Sequence, residues 1–156
     1  MEHRYYIAYG SNLNKEQMAE RCPGARVVGV SELKDYRLMF KGSLTGSYLT
    51  VEPEEGCTAP VGVWEVTAAH ERSLDRYEGY PTFYYKTGMT LPVRDPETGE
   101  VRTLNAFLYI MHEDRSLGLP TGGYVDVCRQ GYRDFGFDES TLAEALAFTR
   151  DHRGEE

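Results

Sequence analysis

Two short stretches of this chain combine side chains and spacing that could hold an anion and move a proton. The first is Tyr9-Gly10-Ser11-Asn12-Leu13, which follows the mostly apolar run Arg4-Tyr5-Tyr6-Ile7-Ala8. Glycine admits φ > 0 and lets a ligand approach the backbone. Consecutive amides in such a turn form a concave anion site, to which a following helix adds its positive end. A carboxylate fits there as well as a phosphate. A plain turn with a helix cap reads from the same residues. A P-loop does not, because no Gly-Lys-Ser/Thr follows.

The second stretch is Leu74-Asp75-Arg76-Tyr77-Glu78-Gly79-Tyr80-Pro81. On a helix, Glu71, Asp75 and Glu78 share one face, and Glu71 and Asp75 read as an ordinary solvated face. Glu78 differs. It sits at a helix C-terminus, where the dipole disfavours negative charge, and Tyr77 and Tyr80 bracket it and can desolvate it. Both effects raise a carboxyl's proton affinity towards neutrality, which suits a general acid/base.

Other chemistries find less support. Ser11 is outside a Gly-x-Ser-x-Gly elbow and has no evident histidine partner. Cys22, Cys57 and Cys128 show no CxxC spacing and read as reduced, mostly buried thiols. His70-Glu71 lacks the second histidine of a zinc protease helix. These residues therefore lead us to expect no metal site.

Composition narrows the partners. The chain has 156 residues, enough for one domain over 1–156, and a net charge of −8. Nucleic-acid binding needs clustered Lys and Arg and is not expected. The longest apolar run, Ala106 to Met111, is six residues, against ~20 for a membrane helix. The first residues lack a signal-peptide pattern, so the expectation is a cytoplasmic protein with no membrane partner. Oligomeric state is not legible. Residues 138–156 carry six acids and two bases and read as a solvated terminal helix and tail. Twelve tyrosines stand against six phenylalanines. Tyr6, Tyr9, Tyr77 and Tyr80 flank the two stretches above; with Tyr124, which joins them only through the family resemblance given below, they read as walls of one polar pocket. The other seven read as strand residues with wet hydroxyls.

The elements that must position these residues follow from local signals. A strand is predicted over 4–9 and a helix over 15–22, capped by an Asn14/Gln17 box and stopped by Pro23-Gly24. Strands are predicted at 26–30, 35–41, 47–51 and 60–66, with Glu52-Pro53-Glu54-Glu55 as a solvated turn. Thr67 caps a helix over 68–77, ended by Gly79 and Pro81. Strands at 83–93 and 101–111 flank the turn Asp95-Pro96-Glu97-Thr98-Gly99. Helices follow at 124–134 and 141–151, the last capped by Ser140. Strands first and helices last suggest an α+β domain whose sheet is mainly antiparallel and able to close.

Tyr-Gly-Ser-Asn-Leu after an N-terminal strand, with Tyr-Glu-Gly-Tyr-Pro some 65 residues later, resembles the gamma-glutamylcyclotransferase-like family. Three further stretches agree: Leu33-Lys34-Asp35-Tyr36-Arg37-Leu38-Met39-Phe40, Val61-Gly62-Val63-Trp64-Glu65-Val66, and Gly118-Leu119-Pro120 through Tyr124. Together they cover about residues 5–135. The resemblance implies a small mixed, mainly antiparallel β-barrel flanked by helices. It implies a cofactor-independent enzyme on a small γ-glutamyl substrate, whose α-amine attacks its own γ-carbonyl to release 5-oxoproline and an amine or amino acid. It implies Glu78 as the acid/base, and Tyr6, Ile7, Ala8, Tyr9, Gly10, Ser11, Asn12 and Tyr124 as substrate-binding residues. One alternative is the same chemistry on a γ-glutamylamine or a γ-glutamylated metabolite, and the acidic segment Glu52-Pro53-Glu54-Glu55 leaves open a cationic leaving amine. The other alternative is a non-catalytic small-molecule binding or interaction module on the same fold.

Overall fold

The computed structural model describes residues 3–43 and 46–155. In chain order these form β1 (His3–Ala8), a 3-10 turn (Ser11–Leu13), α1 (Lys15–Arg21), β2 (Arg26–Ser43), β3 (Gly46–Thr67) and α2 (Ala68–Glu78). Then come β4 (Tyr84–Arg94), β5 (Val101–Met111), β6 (Ser116–Leu117), α3 (Gly122–Phe135) and α4 (Ser140–His152). The strands lie side by side as β3-β1-β5-β4-β2, and β2 pairs again with β3, so five of them close into a barrel. All pairings are antiparallel except β1–β5, which runs parallel and meets at Tyr6↔Phe107. Short β6 hangs on the end of β2 through Lys41↔Leu117 and Gly42↔Ser116. No helix among the described residues is long and apolar enough to cross a membrane.

The four strands expected over 26–66 are two long ones. Their register runs from Ser43↔Gly46 to Tyr36↔Pro53 and resumes at Lys34↔Thr58. Residues 54–57 bulge out opposite Asp35, which takes φ 64° and accepts the Gly56 amide at 3.0 Å. Aspartate tolerates that left-handed conformation. The expected solvated turn at 52–55 is therefore an excursion on a continuing strand, because Pro53 and Gly56 interrupt pairing without ending it. Its acids are also partnered, Glu52 with Lys41 at 2.5 Å and Glu54 with Arg37 at 3.7 Å.

The helices start and stop where local chemistry satisfies their ends. Asn14 accepts the Gln17 amide at 3.0 Å, but the reciprocal half of the expected box is missing, because the Gln17 side chain accepts from Arg21 instead. Thr67 and His70 form a complete capping box on α2. At its other end Gly79 takes φ 65° and the Tyr80 amide returns to the Asp75 carbonyl, a Schellman closure that needs a left-handed residue. Ser140 lies inside α4 rather than capping it, and the Asp138 carboxylate accepts its amide at 2.9 Å. Helix α4 is not solvated all round: Leu142, Ala145 and Thr149 are buried. The Thr149 hydroxyl accepts the Phe40 amide of β2 at 3.0 Å.

The core includes Ile7, Leu13, Phe40, Val51, Val63, Leu74, Leu108 and Tyr132, all essentially inaccessible. Helix α3 reaches the 3-10 turn through Gly131. A Cβ there would meet the Asn14 amide nitrogen at 2.6 Å and the Leu13 carbonyl carbon at 2.7 Å, both backbone atoms with little room to yield. Gly131→Val is expected to cost about 3 kcal/mol by overpacking and to lower Tm in thermal denaturation. An unchanged Tm would show that the turn gives way freely.

Candidate active site

A cavity of about 450 Å³ opens where the end of β1, the 3-10 turn, the last turn of α2, β4, β5 and α3 meet. It brings together Tyr6, Tyr9, Gly10, Ser11, Asn12, Glu78 and Tyr124 from the sequence candidates. Ile7 and Ala8 do not line it. Both are buried in the core, and their strand delivers the turn to the cavity.

Gly10 has φ −131° and ψ −127°, so the turn does not use the left-handed glycine that the sequence suggested. Its glycine leaves room for neighbours: a Cβ would meet the Tyr124 hydroxyl at 3.4 Å and Leu49 at 3.5 Å. Within the turn, the Leu13 and Asn14 amides are taken by the Gly10 and Ser11 carbonyls, each at 3.0 Å. The Ser11 and Asn12 amides come first and have no acceptor inside it. The Asn12 side chain belongs to the framework. Its Nδ2 donates to the Tyr6 hydroxyl at 2.9 Å, its Oδ1 accepts from Arg21, and its carbonyl accepts the Trp64 indole N–H. The Ser11 hydroxyl meets that of Tyr77 at 3.1 Å, with no histidine involved.

Glu78 is the last residue of α2 and half-buried. Its carboxyl is pushed up from the ordinary 4.5 to about 8, chiefly by burial, while the Arg21 charge pulls the other way. Desolvation dominates, as a carboxyl walled by phenols should show. Tyr77 contributes to that wall, but Tyr80 does not. The chain reverses at Gly79, and Tyr80 emerges outside, 41% exposed, edge-on to Tyr109 with the Lys86 ammonium 4.5 Å from its ring centroid.

Seven tyrosines line the cavity: Tyr6, Tyr9, Tyr48, Tyr77, Tyr84, Tyr109 and Tyr124. Burial holds the phenols of Tyr6, Tyr9, Tyr84 and Tyr124 well above their ordinary value, and the nearby Glu78 adds to each. They are neutral hydrogen-bonding groups. Tyr9 donates to the Tyr109 carbonyl at 2.6 Å. Tyr84 donates to the Leu49 carbonyl at 2.8 Å, while the Leu49 amide donates to Tyr124 at 3.1 Å. Two phenols thus hold both polar groups of one strand residue and stiffen that wall.

Glu71 and Asp75 are not a solvated face. The Lys86 ammonium binds them at 2.6 and 2.8 Å, Arg4 binds Glu71 at 2.7 Å, and the Tyr109 hydroxyl donates to Asp75 at 2.6 Å. This network fastens α2 to β1, β4 and β5, one helical turn before Glu78. The cysteines offer no nucleophile at the cavity. Cys22 and Cys128 are buried, and desolvation pushes their thiols up to about 11 and about 12. Cys57 is half-buried on the 54–57 excursion. Among the described residues, no three His, Cys, Asp or Glu side chains gather as a metal ion would require.

Sequence reasoning missed Tyr48, Leu49, Arg76, Phe83, Tyr84 and Tyr109 in the lining, and Arg21 behind it. The tyrosine excess was the one signal for three of these. Which strand faces the cavity depends on pairings that spacing does not reveal.

The family model described as gamma-glutamyl cyclotransferase, AIG2-like, matches residues 6–126. The gamma-glutamylcyclotransferase of Bos taurus is 31% identical over 139 residues, covering 84% of this chain and 71% of the relative. That of Homo sapiens is 30% identical over the same shares of both chains. A solved structure described as a gamma-glutamyl cyclotransferase superposes with a TM-score of 0.75 at 25% identity, over 94% of this chain and 88% of the other.

Proposed function

This chain belongs to the gamma-glutamyl cyclotransferase, AIG2-like family, and on that premise we propose that Glu78 is the acid/base of its cyclisation reaction. The observation that carries this is a carboxyl whose proton affinity burial lifts to about 8, in the cavity that the Ser11–Asn12 turn also lines. The enzyme is of the cyclotransferase type, acting on small γ-glutamyl compounds. The α-amine of such a compound is protonated near neutral pH. Glu78 takes one proton, and the freed amine attacks the γ-carbonyl carbon to close the five-membered ring. The tetrahedral intermediate then expels the leaving nitrogen, which receives that proton back from Glu78 and, relayed by the same carboxylate, the surplus proton of the ring nitrogen, so that the amine departs as an ammonium. One C–N bond forms, one breaks, and the products are 5-oxoproline and the released amine. A positioned acid/base of this kind contributes ~10²–10⁴-fold.

The Ser11 and Asn12 amides, unused within their turn, receive an anionic oxygen of the substrate. The neutral phenols let the substrate bend into its reactive shape without competing charge. The acidic segment at 52–55 supplies no reason for a cationic leaving amine. It lines no part of the cavity, and Glu52 and Glu54 are already paired.

Incubating the protein with a panel of γ-glutamyl dipeptides and γ-glutamylamines, and measuring 5-oxoproline, tests this directly. Release is expected from several members, faster from dipeptides than from cationic amines. A folded sample that forms no 5-oxoproline across the panel would overturn the reading.

A further inference from the structure

We infer that Arg21, which lines no part of the cavity, is a positioning residue for the reaction: it locks the substrate-facing turn to the last helical turn of α2. The inference rests on Glu78 being the acid/base. Arg21 lies in the last turn of α1 and is half-buried. Its Nη1 donates to Asn12 Oδ1 at 2.5 Å and its Nη2 to Gln17 Oε1 at 2.7 Å. The Cζ of the same guanidinium lies over the Tyr77 ring, 3.5 Å from its centroid. From there the contacts close on themselves. Tyr77 meets the Ser11 hydroxyl, Ser11 adjoins Asn12, and Asn12 hands its own N–H to Tyr6. One planar cation thus binds with its edge the residue that shapes the turn, and with its face the residue next to Glu78.

Lysine cannot replace this arrangement. An ammonium is a point charge, whereas a guanidinium forks along its edge and stacks on its face. The charge matters separately from the shape. The groups facing Glu78 from the surrounding elements are phenols: Tyr6 and Tyr9 following from β1, Tyr84 from β4, Tyr109 from β5 and Tyr124 from α3. On its own helix, Asp75 is spent on Lys86 and Tyr109, and Arg76 hydrogen-bonds Ser73. Arg21 is the cation whose charge opposes the desolvation of Glu78.

Two substitutions separate the two contributions. Arg21→Met removes shape and charge; Arg21→Lys keeps the charge alone. The measurements are kcat/KM against pH, and the titration of the Glu78 carboxyl by 13C NMR in the substrate-free protein. Arg21→Met is expected to lose ~10–100-fold in kcat/KM, the scale of a catalytic group misplaced by a fraction of its contact distance. Its Glu78 should titrate at higher pH than wild type. Arg21→Lys is expected to return that titration to the wild-type pH while staying at least several-fold slow. A folded Arg21→Met protein with an unmoved Glu78 titration, or an Arg21→Lys protein with full turnover, would overturn the inference. If Arg21→Met does not fold, Arg21→Lys alone decides, by slow turnover with an unmoved titration. The titration needs no substrate. An error in assigning Glu78 would show instead as full activity of Glu78→Gln, and so is read apart from this result.

Discussion

Glu78→Gln is expected to leave a folded protein whose turnover falls by ~10²–10⁴-fold or below detection. Glutamine keeps the length and a neutral form of the side chain, so it disturbs the cavity least. It cannot take a proton from the substrate ammonium or return one to the leaving nitrogen. Stability supplies an internal control. The folded-state proton affinity of Glu78 lies above its ordinary value, at about 8 against 4.5. Its favourable contribution to folding is therefore complete below the lower value and declines as pH rises through the upper one. Glutamine carries no such dependence. The variant's Tm, relative to wild type, should rise between pH 5 and pH 9. Loss of 5-oxoproline formation together with that relative gain marks removal of the acid/base. A folded variant that turns over like wild type would sink the mechanism.

The pH profile carries the second large effect. The profile of kcat/KM reports groups on the free enzyme, and the base must be ionised before it can accept a proton. With Glu78 at about 8, kcat/KM should climb ~10-fold per pH unit from pH 6 and level off near pH 8, about 100-fold in all. Most soluble carboxylates would instead give a limb near pH 4–5. Initial rates in constant-ionic-strength buffers from pH 5 to 9 decide between them. An acidic limb at pH 5 or below would remove burial as the device that tunes this carboxyl.

What could be read in advance was whatever the chain writes locally. Thr67 and Gly79 bound α2 because a cap and a left-handed stop act within four residues. Asp95 to Gly99 marks the β4–β5 hairpin for the same reason. Tyr9 to Asn12 and Tyr77 to Gly79 stand out as contiguous words, and their geometry brings them to one cavity. What escaped was non-local. Glu71 and Asp75 looked solvated because Lys86, their partner, lies on another element. Tyr80 looked like part of the wall until the reversal at Gly79 carried it outside. Tyr48, Tyr84 and Tyr109 join the lining only once the barrel closes. Glu52-Pro53-Glu54-Glu55 carried every mark of a turn, yet the strand resumes beyond it because Lys34 recovers its register with Thr58. Arg21 gave one faint sign, its i,i+4 spacing from Gln17, which says nothing of Asn12 or Tyr77.

The single parallel contact between β1 and β5 bears on when this enzyme comes into being. Its strands lie far apart along the chain, and the Tyr9–Tyr109 hydrogen bond spans 100 residues. Pairings of such separation form late, since the loop they close must be ordered first. During synthesis β1 can meet its β3 neighbour early, but the phenols of Tyr109 and Tyr124 arrive only after most of the chain has emerged. Until then Glu78 stands in water as an ordinary carboxylate. At pH 7 the closing chain must therefore draw most of one proton from solvent, so completion of folding and the rise in the proton affinity of Glu78 are a single event.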